Sequence, residues 1–176
     1  MAIYCSGSSF TIIFGGFLVR VCGDLEANGL LHWTYSKKNG VQEAATTIWC
    51  GVFQDLDSDW IFKFLPHQLD EMCLFLDNVE YLAGHNFADF DIPLMEKLLG
   101  YTFEGEVFDT FIVSQLTDPD RAGGHGLDPW GKRFGIPKPV HEDWTKFSGA
   151  MLHRCEEDVK INVKVYHTLL KELGYA

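Results

Sequence analysis

Positive charge is scarce in this sequence: 14 Lys and Arg stand against 25 Asp and Glu, a formal net charge of −11. That deficit argues against a broad basic face for phosphate backbones, so any contact with a nucleic acid has to be short and local. Bound divalent cations would reverse the local sign of the field wherever carboxylates gather to hold them. The five cysteines, at positions 5, 22, 50, 73 and 155, form no C-x-x-C pair. Their odd, scattered set excludes a disulfide framework and reads as reduced thiols in a cytoplasmic protein. No Cys/His cluster has tetrahedral zinc spacing, which excludes a zinc finger. No apolar run reaches the roughly twenty residues that span a bilayer, so no membrane partner is expected. No internal repeat or low-complexity tract interrupts the chain. What is present is a length of 176 residues, 47% of them hydrophobic, which suits one domain with a substantial core.

The amino terminus, "MAIYCSGSSFTIIFGGFLVRVCGDLE", is apolar for about ten residues before Arg20, without the cationic start of a secretion signal or a stop-transfer flank. Residues 1–18 are read as an N-terminal extension, with translation starting near Val19 if the codons for "GGFLV" spell a ribosome-binding site; residues 19–176 are read as the domain. "FLVRVCGDLE" has the β-branched, apolar character of a buried central strand. "TTIWCGVFQ" (46–54) and "DSDWIFKFL" (57–65) follow as a meander turning at "QDLDSD". The spacing predicts a helix over 67–77, a returning strand in "VEYLAGHN", and a helix in "DIPLMEKLLG" closed by Gly100. The rest reads as helical: "VFDTFIVSQLT", "HGLDPWGKRFG" and "CEEDVKINVKVYHTLLKELG".

Four carboxylates stand out. Asp24 and Glu26 are two apart, so in a strand they share one face, where their mutual repulsion calls for a cation. Asp91 precedes Ile92 and Pro93 at a helix start, where an N-cap role is the ordinary reading. Asp158 lies with Glu156 and Glu157 at the predicted start of the last helix, where the macrodipole favours negative charge. Val159, Val163, Tyr166 and Leu170 form the stripe by which that helix is expected to pack. His153 precedes Asp158 by five positions, about 140 degrees around a continuous helix, so it shares a site with Asp158 only from a preceding loop, for which "KFSGAML" offers the chain.

In this order, "DLEANGLL", "HNFADFDIPLM", "FDTFIVSQL", "HGLDPWGKRFG" and "HRCEEDV" resemble the three Exo motifs of the DEDD, or DnaQ-like, 3′-to-5′ exonucleases. The nearest likeness is to the proofreading domain of small-phage family A DNA polymerases. The resemblance implies an α/β, ribonuclease H-like mixed sheet, three antiparallel strands plus parallel strands, flanked by helices. It assigns metal ligation to Asp24, Glu26, Asp91 and Asp158, and thereby makes Asp91 more than a cap. The phage domains carry a tyrosine four before the last aspartate, where this chain has Arg154. His153 instead matches the H-x-A-x-x-D spacing of the histidine subclass, with Cys155 in place of alanine, and is the expected general base because imidazole titrates near working pH.

The implied cofactors are two divalent cations, Mg²⁺ or Mn²⁺, held by hard oxygen ligands about 3.5 to 4 Å apart. Asn28, Asn86, His125, Lys132 and Arg133 are candidates for positioning substrate, whereas Trp130, spaced with Leu127 and Phe134, reads as core. The expected substrate is the 3′ end of single-stranded DNA in a host cytoplasm, if the protein is phage-encoded, with RNA as the close rival. A non-catalytic accessory module, partnering a replication or host protein, is the alternative of a different class.

Overall fold

The computed structural model describes residues 2–6, 9–13, 19–32, 34–36 and 40–175. β1 (Ala2–Ser6) and β2 (Ser9–Ile13) pair antiparallel as a sheet of their own. The central sheet begins with β3 (Val19–Ala27), and the "GGFLV" segment before Val19 lies outside the described residues apart from Val19 itself. β4 (Thr34–Ser36) and β5 (Gly40–Gln42) make a second small pair.

β3 is buried along almost its whole length, as a strand covered on both faces must be. It pairs antiparallel with β6 (Ile48–Asp55), which pairs antiparallel with β7 (Ile61–Phe64). On its other side it pairs parallel with β8 (Val79–Gly84), which pairs parallel with β9 (Glu106–Asp109). The order β7-β6-β3-β8-β9 is the mixed α/β sheet of a ribonuclease H-like fold. Helices α1 (Leu69–Leu76) and α2 (Asp91–Leu99) cover one face with Val21, Leu25 and Phe53 beneath them. Helices α3 (Thr110–Thr117), α4 (Leu127–Phe134) and α5 (Gly149–Glu172) are grouped at the other face, where α5 lies on Cys50 and Val52 through Met151, Cys155 and Val159. No helix among the described residues is long and apolar enough to cross a membrane.

Three boundaries differ from the sequence reading. The opening of "VFDTFIVSQLT" is the end of β9; the helix starts at Thr110, capped by Asp109, whose carboxylate accepts from the Phe111 and Ile112 amides. The helix predicted at 67 begins with a single 3-10 turn at Pro66–Gln68 before α1. Most consequentially, α5 starts at Gly149, where Ser148 Oγ accepts from the Met151 amide as an N-cap. Residues 149–152 of the expected loop are therefore helix. The buried stripe of α5 also runs through Met151, Cys155, Asp158, Asn162, Val165 and Leu169, rotated from the one expected, with Val163 and Leu170 only half-buried.

Within the "WGKRFG" segment, Trp130, Gly131 and Gly135 hold the local packing. Trp130 is buried with the guanidinium groups of Arg121 and Arg133 against its ring, 4.7 and 4.6 Å from the ring centroid. Gly135 ends α4 at φ 68°. A Cβ on Gly131 would stand 2.4 Å from the Ile136 carbonyl oxygen. Because that neighbour is backbone and cannot swing aside, Gly131→Ala is expected to cost about 1–3 kcal/mol, read as a lowered thermal midpoint; an unchanged midpoint would contradict this packing.

Candidate functional site

The alternation of β3 sends Val21 and Leu25 into the core under α1 and α2, and Cys22, Asp24 and Glu26 to the face of α5. Asp158 comes down from α5 to meet them: Asp24, Glu26 and Asp158 each offer an oxygen lying within 4.8 Å of the other two. The thiol of Cys155 donates to the Asp24 carbonyl at 3.3 Å, tying α5 to β3 beside the site. Asp91 approaches from a third element. It occupies the first turn of α2 after Phe90, not the N-cap position, and its Oδ1 accepts from the Leu25 amide at 3.2 Å. All four carboxylates line one open cleft of about 360 Å³, together with His85, Asn86, Phe90, Phe111, Lys138 and Arg154.

Glu26, Asp91 and Asp158 are 7%, 4% and 3% exposed, an expensive placement for clustered negative charge. Burial pushes the Asp24 carboxyl well above its ordinary range; the charges of Glu26, Asp158 and Asp91 push in the same direction and Lys138 opposes them. Burial raises Glu26 to about 7 against the restraint of Arg154. It raises Asp158 against Lys138, and Asp91 against the Leu25 amide. Lys138 Nζ stands 2.7 Å from Asp158 Oδ2, and Arg154 Nε donates to Glu26 Oε1 at 3.1 Å. The other oxygen of Asp158, Oδ1, is buried without a partner. Three clustered hard oxygen donors and an orphaned carboxylate oxygen suit a Mg²⁺- or Mn²⁺-type ion.

His153 is not part of this cluster. It lies within α5 and is exposed, on the far side of the helix from Asp158, as the 140-degree offset of a continuous helix requires. The residue that reaches the cleft from this turn is Arg154, an i,i+4 neighbour of Asp158. A general-base role for His153 depended on a loop that the Ser148 cap converts to helix. His153→Ala is accordingly expected to leave the rate of any hydrolysis at this cleft within about twofold, since a positioned base is worth roughly 10² or more. A loss of that size would restore His153 to the site.

Of the substrate-positioning candidates, only Asn86 lines the cleft; it adopts φ 58° and its backbone N–H donates to Asp109 Oδ1. Asn28 bridges Thr46 and Thr47 and lines an adjoining cavity walled by Phe90 and Trp144. His125 bonds Ser114 and the Pro119 carbonyl. Lys132 pairs with Asp128 on the surface, and Arg133 donates to the Ala122 carbonyl while stacking on Trp130. None of these three lines the cleft.

Two cleft residues, Lys138 and His85, carry no local signal in the sequence. Lys138 sits in "IPKPV", where no periodicity announces a contact twenty positions away. His85 lines the cleft, and burial lowers its pKa to about 4, so its ring is neutral. Thr110 Oγ donates to Asn162 Oδ1 at 2.6 Å, which leaves it to accept from His85 Nδ1 at 2.9 Å and assigns the free lone pair to Nε2.

No family model matches the chain. In sequence it is similar to the DNA-directed DNA polymerase of Escherichia phage T7, 22% identical over 88% of this chain, and to that of Enterobacteria phage T3, 23% identical over 86%. The chain spans 27% of the length of these curated relatives. In fold it is similar to a solved structure described as the apo form of a nuclease, at 20% identity with a TM-score of 0.59, covering 89% of this chain and 75% of the other. Brucella melitensis NrnC has the same TM-score at 19% identity, covering 90% of this chain and 77% of the other. The chain is thus similar to phage DNA polymerases in sequence and to a solved nuclease in fold.

Proposed function

We propose that the chain is a metal-dependent 3′-to-5′ exonuclease that shortens single-stranded DNA and releases nucleoside 5′-monophosphates. The observation that carries the reading is the convergence of Asp24, Glu26, Asp91 and Asp158, from β3, α2 and α5, on one cleft. A carboxylate cluster this deeply buried is costly unless cations complete it. Divalent ions bound there supply an activated water and charge stabilisation for the leaving oxygen. The resemblance implies two such ions, and Asp24, Glu26 and Asp158 together make one ligand cluster.

The chain's own residues bind and orient. Lys138 and Arg154 line the cleft and place positive charge beside the carboxylates, where a phosphodiester would lie. The adjoining cavity shares Leu25, Glu26 and Phe90 with the cleft, and its Phe90 and Trp144 rings offer apolar faces to a terminal base. Aromatic faces beside a local pair of cations suit a single-stranded end in a protein whose overall charge repels a duplex. DNA is favoured over RNA by the sequence similarity to phage DNA polymerases.

The test is incubation of the purified protein with Mn²⁺ and 5′-labelled single-stranded DNA and RNA oligomers. A ladder that shortens from the 3′ end of the DNA, stopped by chelator, is the expected result. Shortening of the RNA alone would assign the chain to exoribonuclease chemistry. Binding without cleavage of either polymer would leave the accessory-module reading in its place.

A further inference from the structure

Resting on that reading but departing from the ion count it inherits, we propose that the Arg154 guanidinium is a permanent cation of the site. It takes the place of one of the two divalent ions, so that the chain binds a single ion. The four cleft carboxylates divide into two kinds. Glu26 and Asp158 are already paired: Arg154 Nε donates to Glu26 Oε1 at 3.1 Å, Arg154 Nη2 lies 3.8 Å from Asp158 Oδ2, and Lys138 Nζ lies 2.7 Å from the same oxygen. Asp24 and Asp91 have no ion-pair partner among the described residues. Four negative charges against the two positive charges of Arg154 and Lys138 leave two, which one divalent ion neutralises. Asp158 Oδ1, buried and unpartnered, and the unpaired Asp24 are open to that ion.

Arg154 differs from Lys138 in what holds it. Its Nη1 donates to the Pro139 carbonyl at 2.6 Å, and its guanidinium carbon lies 5.3 Å from the Trp144 ring centroid. Neither contact involves a cleft carboxylate, so the guanidinium keeps its place whether or not an ion arrives. Lys138 has Asp158 as its one ion-pair partner among the described residues and sits on a flexible stem, so its ammonium can shift to admit an ion while its charge stays beside the carboxylates. A second divalent ion among these carboxylates would face the fixed like charge of Arg154 at close range, with little water to screen it. The guanidinium, always charged and presenting several donors, supplies to a phosphate oxygen what that ion would have supplied.

The test is the number of Mn²⁺ ions bound per chain, followed by titration calorimetry and by the electron-spin signal of free Mn²⁺, with and without thymidine 5′-monophosphate, whose phosphate is the ligand a second ion would share. One ion is expected for the wild type under both conditions, and two for Arg154→Met with the nucleotide present. A second ion in the wild type overturns the proposal. So does a single ion in Arg154→Met, once its circular dichroism and melting transition confirm that it is folded; if it is not, the wild-type count alone decides. A wild type that binds one ion yet leaves 3′ ends intact would refute the exonuclease reading and leave the ion count standing. A wild type that binds none would overturn both.

Discussion

Asp24→Asn or Asp158→Asn is expected to lower the rate of 3′-end shortening by roughly 10⁴-fold, the scale seen when a group that acts as one part of a unit is removed. Asp24→Asn, which has no ion-pair partner among the described residues to lose, should also melt at or above the wild-type midpoint in chelator. Both outcomes come from one cause. Asp24 is charged against Glu26, Asp158 and Asp91 in a buried setting, and a neutral amide of the same shape relieves that repulsion while removing an anionic ligand. Activity on labelled oligomers and melts with and without Mn²⁺ separate the two effects. Mn²⁺ should raise the midpoint of the wild type and not of either variant, because a ligand stabilises only the state that binds it. Turnover at the wild-type rate in either variant would sink the assignment of the cleft.

The second large effect is a pH dependence with an unusual sign. In chelator, the thermal midpoint is expected to fall as pH rises from about 5 to 7. Glu26 is raised from 4.5 to about 7 in the folded chain, and Asp24, Asp91 and Asp158 are raised as well. Between the unfolded and folded values the unfolded chain has lost a proton that the folded chain keeps, so stability drains away as pH climbs through that window. For Glu26 alone the loss is on the order of 3 kcal/mol, or ~6–12 °C for a chain of this size. Saturating Mn²⁺ should abolish the slope or reverse it, since an ion favours the deprotonated ligands. Differential scanning fluorimetry across that range, with chelator or Mn²⁺, reads the result directly. A midpoint that rises with pH in chelator would mean that the cluster is better compensated by Lys138 and Arg154 than its burial indicates.

Features that depend on short-range spacing are legible in the residues alone. The two-residue period of a strand places Asp24 and Glu26 on one face, and β3 keeps them there because a one-residue slip would bury them under α1 and α2. The mixed sheet, Gly100 at the end of α2 and the burial of Trp130 followed from patterning and turn chemistry of the same local kind. β9 escaped because its four residues are held by pairing with β8 alone, with Val107 exposed, so nothing in their own alternation distinguishes them from the start of a helix. The choice between His153 and Arg154 was not local. It turned on where α5 begins, and that was set by the Ser148 cap together with the complete burial of Met151 against the sheet; moving the helix start by a turn decides which side chain points at Glu26. Lys138 was further still from sequence reasoning: it meets Asp158 only because the chain between α4 and α5 passes over the cleft, and attraction between opposite charges specifies no register along a chain.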